Sequence, residues 1–159
     1  HRALDAAWCR KHTRSVWRQS VIAPLPKPGD PLNPGNRRRI SLINANGKAH
    51  ANVLLGRIAA PVDATLLDEQ HGFRPGRGTS DAQYCVARLV ELSIRHHQPL
   101  YTALIDFRQA FDSVDRPTLW AALRAYGADP HVVDMFDDLY AGTTSSVRLG
   151  PYESAEFPM

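Results

Sequence analysis

The stretch of residues 101–117 constrains the fold of this chain more than any other. Residues 102–105 form a short apolar run with β-branched side chains, which predicts a buried strand. The run stops at Asp106, and a carboxylate at the tip of a buried strand needs a compensating charge. A divalent cation would supply it, because Mg²⁺ prefers oxygen ligands. Pro117 then predicts the first turn of a helix, with Asp115 as its N-cap.

The charges of the chain are distributed unevenly. Residues 1–79 hold 13 Lys and Arg against 5 Asp and Glu, whereas residues 80–159 hold 6 against 11. A basic half beside an acidic half indicates phosphate binding next to metal binding. Of the 19 basic residues 16 are Arg, whose planar guanidinium suits phosphate recognition. GC-rich codon usage would also favour Arg over Lys, but it would not produce the asymmetry.

The length of 159 residues suffices for one domain with a core, and no apolar run approaches membrane-spanning length. We therefore expect no membrane partner. The chain begins with His and has no signal-peptide pattern, so we read it as a piece of a longer protein. Cys9 and Cys85 have no metal-ligand spacing, and we expect buried free thiols, as in a reducing compartment.

A hairpin with a basic tip is predicted in the first third of the chain. Residues 21–25 have strand character, the Pro and Gly cluster of residues 26–35 forms a loop, and residues 37–43 return. Helices are predicted elsewhere, and Pro61 should break or kink the second of them. The predicted helices cover residues 1–16, 47–60, 62–67, about 79–95, 117–126 and 130–140, and residues 143–149 and 153–157 form a second hairpin.

A loop rich in Gly and Arg precedes the helix predicted at about residues 79–95, in the sequence Gln70-His-Gly-Phe-Arg-Pro-Gly-Arg-Gly-Thr79. Its glycines would allow close approach of another backbone. Arg74 and Arg77 are candidates for phosphate contacts on this loop. Phe73 would anchor the loop or stack under a base. Thr79 or Ser80 is the predicted cap of the following helix.

Three of these segments resemble motifs of the non-LTR (LINE-type) retrotransposon reverse transcriptases. Leu104-Ile-Asp-Phe-Arg-Gln-Ala-Phe-Asp-Ser-Val is similar to the first catalytic motif of that family. The resemblance implies that Asp106, with the backbone carbonyl of Phe107, binds the catalytic metals. It also implies that Phe111 is the steric gate, the side chain that senses the 2′ position of the nucleotide sugar.

The other two segments imply further contacts. The hairpin resembles the first fingers motif, in which Lys27 and Arg38 would hold the incoming triphosphate. The family has Tyr-Arg-Pro where this chain has Arg37-Arg38-Arg39, so Arg37 and Arg39 remain alternatives to Arg38. The loop resembles a Gln-x-Gly-Phe-Arg-x-Gly-Arg segment, which implies template contacts by Gln70, Arg74 and Arg77.

The resemblance implies an α+β fold, a polymerase fingers region with part of a palm that stops before the second catalytic motif. Fingers would comprise about residues 1–85 and 116–159, and the palm strand and first catalytic motif about residues 86–115. The implied activity is RNA-directed DNA synthesis with two Mg²⁺ ions, an RNA template, a DNA primer and deoxynucleoside triphosphates, inside the cell as a nuclear and cytoplasmic ribonucleoprotein. The alternatives are an inactive RNA-binding relic and a group II intron maturase-like reverse transcriptase.

One acidic pair imitates the second catalytic motif of the same family, an aromatic-x-Asp-Asp turn. Met135-Phe-Asp137-Asp138 lies inside a predicted helix, however, with Val132, Phe136 and Tyr140 at helical spacing. We therefore interpret Asp137 and Asp138 as an acidic helix face. His50 is interpreted as a surface or capping histidine.

Overall fold

A computed structural model describes residues 2–30, 33–107 and 109–159. The predicted α+β class is confirmed, and none of the described helices is long and apolar enough to cross a bilayer. Short 3₁₀ helices cover Ser15–Arg18 and Pro34–Asn36. The other elements are α1 (Arg2–Arg10), β1 (Gln19–Pro26), β2 (Arg37–Ile43), α2 (Ala45–Asp63), α3 (Thr79–His96), α4 (Arg116–Ala125), α5 (Pro130–Tyr140), β3 (Thr144–Leu149), β4 (Tyr152–Glu153) and β5 (Phe157–Pro158).

Both predicted hairpins are present and belong to one mixed sheet. Its strand order is β2-β1-β3-β4, and β5 pairs with β3 as well. Strand β1 runs antiparallel to β2, with Leu25 opposite Arg38. It runs parallel to β3, with Gln19 opposite Thr144. The sheet thus joins the first hairpin to a segment more than a hundred residues later in the chain.

The core lies between the helices and the 3₁₀ turn that precedes β1. Helix α5 contributes three buried side chains, Val132, Val133 and Met135. Each such aliphatic side chain stabilises the fold by roughly 1.5–3 kcal/mol when it is fully buried. The remaining buried apolar residues of this cluster are Ala7, Trp17, Leu54, Ile58, Trp120 and Ala128.

Helix starts follow the predicted caps in α4 and α5. Asp115 accepts a hydrogen bond from the Thr118 amide at 3.0 Å, and Asp129 accepts one from the His131 amide at 2.8 Å. Two other predictions differ from the structure. Helix α2 continues through Pro61 to Asp63, so Pro61 does not break it. Gly78 rather than Thr79 or Ser80 occupies the N-cap of α3, and its amide donates to Asp81.

The strand predicted at residues 102–105 is absent from the described structure. Residues 99–107 have no regular secondary structure, and Leu104 is 99% exposed. An apolar run becomes a strand only when a neighbouring strand accepts its backbone hydrogen bonds. The described strands pair with one another and not with this segment.

Burial also differs from expectation at three residues. Cys9 and Cys85 are exposed free thiols, so the prediction of buried thiols is wrong. His50 is 2% exposed rather than on the surface, and its ring lies 5.3 Å from the ring of Trp17. Burial lowers the pKa of His50, while the nearby carboxylate of Asp138 acts in the opposite direction.

Replacement of Gly47 by Ala should destabilise the fold. A Cβ atom at this position would lie 2.7 Å from the backbone oxygen of Trp17, so helix α2 would have to shift. We expect a loss of about 1–3 kcal/mol in the free energy of unfolding, measured by urea denaturation. Gly56→Ala is the matched control in the same helix, because no atom lies within 4 Å of its Cβ position. It should be neutral or stabilising by about 0.5–1 kcal/mol, and equal effects would contradict the packing.

Stability should decrease in acid because His50 is held neutral in the core. A lowered pKa in the folded state means that unfolding binds a proton once the pH falls below the ordinary value of 6.5. The contribution is therefore present above pH 6.5 and is lost as the pH falls through the folded-state pKa. His50→Phe should flatten the dependence of the melting temperature on pH in this range. The control is His96→Phe at the exposed end of α3, and an unchanged slope in His50→Phe would refute the assignment.

Candidate active site

Asp106 lies in the irregular segment between α3 and α4. Its side chain is exposed, and it makes no hydrogen bond or ion pair with any residue that the structure describes. The neighbouring side chains Ile105 and Phe107 are exposed as well. The carboxylate is therefore accessible, but the described chain does not fix its direction.

The described residues do not form a two-metal site around Asp106. Across residues 2–30, 33–107 and 109–159, no three His, Cys, Asp or Glu side chains converge in a way that could hold a metal ion. Two dications close together repel each other unless several carboxylates surround them. Asp106 and the carbonyl of Phe107 alone do not fit that requirement.

The first hairpin places Lys27 and Arg38 on one face. Directly opposite residues of an antiparallel pair share a face, and faces alternate along each strand. Leu25 lies opposite Arg38, and the Lys27 amide donates to the carbonyl of Asn36 at 3.0 Å, which continues the pairing. The side chains of Lys27 and Arg38 make no hydrogen bond or ion pair with any described residue.

The arginines on either side of Arg38 point the other way. Arg37 and Arg39 lie opposite Pro26 and Pro24, on the second face of the hairpin. Arg39 forms an ion pair with Asp112 at 3.1 Å, which connects the hairpin to the segment after Asp106. Among the three candidate arginines, the geometry favours Arg38 as the partner of Lys27. The sequence carried no sign of the pair between Arg39 and Asp112, because 73 residues separate them.

Arg74 faces into its own loop. Its Nε donates to the Asp63 carboxylate at 2.7 Å, and one Nη donates to the Leu67 carbonyl at 2.7 Å, so the side chain is only 8% exposed. The hydrogen bond from Arg74 holds the pKa of Asp63 below its ordinary value. Template binding by Arg74 stays a prediction, and this geometry favours a structural role.

The other predicted template residues also make internal contacts. Arg77 forms an ion pair with Asp68 and donates to the carbonyl of the same residue. The side-chain amide (Nε2) of Gln70 donates to the Gly72 carbonyl at 3.2 Å. Within the described chain no backbone atom lies within 4 Å of a Cβ placed at Gly72, Gly76 or Gly78, so the close approach of another backbone to this loop stays a prediction. A close backbone approach does occur at Gly47.

Two exposed aromatic rings contact each other, one from the Gly- and Arg-rich loop and one from the segment that follows Asp106 in the chain. Phe111 and Phe73 form an edge-to-face pair with their centroids 6.1 Å apart and their planes at 87°. Phe111 is 81% exposed and Phe73 is 97% exposed, so the described chain packs neither of them into a core. Sequence reasoning assigned the two residues to separate motifs and missed their contact.

Comparison with known protein families decides the affiliation. Residues 25–157 match the family described as reverse transcriptase (RNA-dependent DNA polymerase). The chain belongs to the reverse transcriptase family. This match contains both strands of the second hairpin, the Gly- and Arg-rich loop and the segment with Asp106. Reverse transcriptases generally use divalent metals.

The retrotransposon resemblance of this reverse transcriptase chain is confirmed by longer relatives. An uncharacterized 149 kDa protein of transposon TX1 from Xenopus laevis is 28% identical over 94% of this chain and 11% of its own length. The Pol polyprotein of the type-2 retrotransposable element R2DM from Drosophila melanogaster is 28% identical over 94% of this chain and 14% of its own length. The Pol polyprotein of the type-1 retrotransposable element R2 from Popillia japonica is 27% identical over 89% of this chain and 20% of its own length. The chain thus spans a fifth or less of these relatives.

Asp137 and Asp138 of this reverse transcriptase chain lie within α5, as predicted, where Asp137 is exposed and Asp138 is half-buried, and both also contact other elements. Asp137 accepts a hydrogen bond from the Trp120 indole at 2.8 Å. Asp138 forms an ion pair with Arg18 at 2.7 Å and accepts a hydrogen bond from the Thr13 amide. Burial would raise the pKa of Asp138, but these hydrogen bonds together lower it. Both carboxylates connect elements of the core.

Proposed function

We propose that the intact protein is the RNA-directed DNA polymerase of a non-LTR retrotransposon. This chain would supply its fingers (about residues 1–85 and 116–159) and the first palm segment (about residues 86–115). The parallel pairing of β1 with β3 supports a fingers region assembled from both ends of the chain. The observation that carries the proposal is the pair Lys27 and Arg38, two cations on one hairpin face that pair with no described residue, within a reverse transcriptase family match.

The proposed reaction is nucleotidyl transfer. The primer 3′ oxygen forms a bond to the α-phosphorus of a deoxynucleoside triphosphate, and the bond to the leaving pyrophosphate breaks. Lys27 and Arg38 would neutralise the outer phosphate oxygens, where negative charge accumulates as pyrophosphate leaves. Asp106 and the Phe107 carbonyl would contribute to the coordination of two Mg²⁺ ions, together with carboxylates from outside the described residues.

The exposure of the segment around Asp106 supports the proposal that residues outside the described chain complete the metal site. Helix α3 has no buried residue, and residues 99–107 are exposed although many of them are apolar. Apolar surface of this kind marks a contact region in a folded protein. We propose that it packs against the remainder of the palm, with the RNA template and the DNA primer bound on the adjoining surface.

Replacement of Asp106 by Asn in the full-length protein should abolish deoxynucleotide incorporation and leave RNA binding nearly unchanged. The amide removes one negative ligand from the proposed metal site and touches no proposed template contact. Primer extension measures the first quantity and filter binding the second. Asp134→Asn on the outer face of α5 is the control, and it should retain activity. Full activity of Asp106→Asn would refute the assignment, and an inactive wild type that still binds RNA would favour the relic.

Replacement of Lys27 or Arg38 by Gln should weaken binding of the incoming nucleotide. Each side chain would lose charge-assisted hydrogen bonds to a phosphate, so we expect KM for the nucleotide to rise roughly five- to thirtyfold. Lys48→Gln, which removes an exposed cation from the first turn of α2, should leave KM unchanged. Steady-state primer extension in the full-length protein measures these values. A larger effect of Arg39→Gln than of Arg38→Gln would show that the arginine was wrongly chosen.

A further inference from the structure

Phe73 combines two unfavourable features. Its backbone has φ +59°, in the left-handed region that bulky side chains rarely occupy, and its ring is 97% exposed. The strained backbone costs free energy, and the exposed ring does not offset it by packing into a hydrophobic core. A strained and exposed aromatic residue persists where the surrounding structure holds it for another purpose.

The next residue provides the force that holds this conformation. The Arg74 guanidinium binds the carboxylate and carbonyl of Asp63 at the end of α2 and the carbonyl of Leu67. Several hydrogen bonds from one planar group fix both its position and its orientation. These hydrogen bonds fix the position of the loop relative to the end of α2, and with it the backbone position of Phe73.

The ring that Phe73 meets is that of Phe111. Phe111 is 81% exposed and does not pack into the described core, and the aromatic contact that the structure gives it is the edge-to-face pair with Phe73 at 6.1 Å. The next residue, Asp112, is tied to the hairpin by Arg39. A side chain that rejects a substrate group by steric contact works only if it cannot swing away, so the restraint matters.

We propose that Phe73 is a positioning residue for Phe111 and sets the discrimination between deoxyribose and ribose, with Asp63 and Arg74 as its anchor. This inference rests on the proposed polymerase function and on the steric-gate role that the resemblance implies for Phe111, and it adds Phe73 as a second residue for sugar selectivity. It also gives Arg74 a structural role, fixing the loop that carries Phe73, which does not depend on template binding.

The test is a double-mutant cycle in the full-length protein. The measured quantity is the ratio of kcat/KM for a deoxynucleotide to kcat/KM for the matching ribonucleotide. Phe111→Ala should lower this ratio the most. Phe73→Ala should lower it roughly two- to tenfold, the range that an aromatic pair contributes. In the Phe111→Ala background, Phe73→Ala should cause no further change, because it acts through the ring already removed.

Two further variants separate positioning from general damage. Asp63→Asn retains both rings but weakens the anchor that positions Phe73, so it should also lower the ratio. Phe73→Tyr keeps the ring and should retain the wild-type ratio. Asp134→Asn is the matched control, because it breaks the ion pairs with Lys11 and Arg124 at a site distant in sequence from both rings. Its ratio should stay unchanged.

The outcomes distinguish this inference from the function on which it rests. A wild-type protein that incorporates no deoxynucleotide would refute the polymerase proposal and the inference with it. An active wild type whose ratio changes in Phe111→Ala but not in Phe73→Ala or Asp63→Asn would overturn the inference alone. Additive effects of Phe73→Ala and Phe111→Ala would also overturn it, because they would show independent action.

Discussion

The ion pair between Asp138 and Arg18 connects the two halves of this chain. Arg18 directly precedes β1, and Asp138 lies near the end of α5, a few residues before β3. A second Arg18 nitrogen donates to the Ala141 carbonyl at 3.1 Å. These contacts bring the starts of β1 and β3 side by side, where Gln19 pairs with Thr144. A parallel pair needs a long crossover, so its register depends on such contacts outside the strands.

Several arginines of this chain form ion pairs within the fold, so the number of arginines overstates how many are available to bind a phosphate. Arg18, Arg39, Arg74 and Arg77 each pair with an aspartate. A basic half of the sequence therefore does not present an equally basic surface, because internal carboxylates neutralise part of it. The cations that remain available on the hairpin, Lys27 and Arg38, are distinguished by their register in the sheet. Composition indicated phosphate binding, whereas strand alternation indicates where it would take place.

Local signals predicted the elements that depend on local chemistry. Asp115 and Asp129 cap helices with proline in their first turn, and the hairpin follows its turn residues. The strand at residues 102–105 could not be predicted in the same way, because a strand requires a partner. The contact between Arg74 and Asp63 could not be predicted from the loop sequence, because Asp63 belongs to the preceding helix. The burial of His50 could have been predicted, because His50, Leu54 and Ile58 lie on one face of α2. We interpreted His50 instead as a surface or capping histidine.

The fold and the proposed chemistry rest on different parts of the molecule. The hairpin with Lys27 and Arg38 is held by the sheet, and the sheet is connected to the helical core through Arg18. Asp106 instead lies in an exposed apolar segment whose described contacts do not fix it. Burial of that segment would gain free energy in proportion to the area covered, so the surface that covers it also orients the carboxylate. The proposed phosphate contacts therefore lie on a preorganised part of this chain, whereas the proposed metal contact of Asp106 would depend on what packs against residues 99–107.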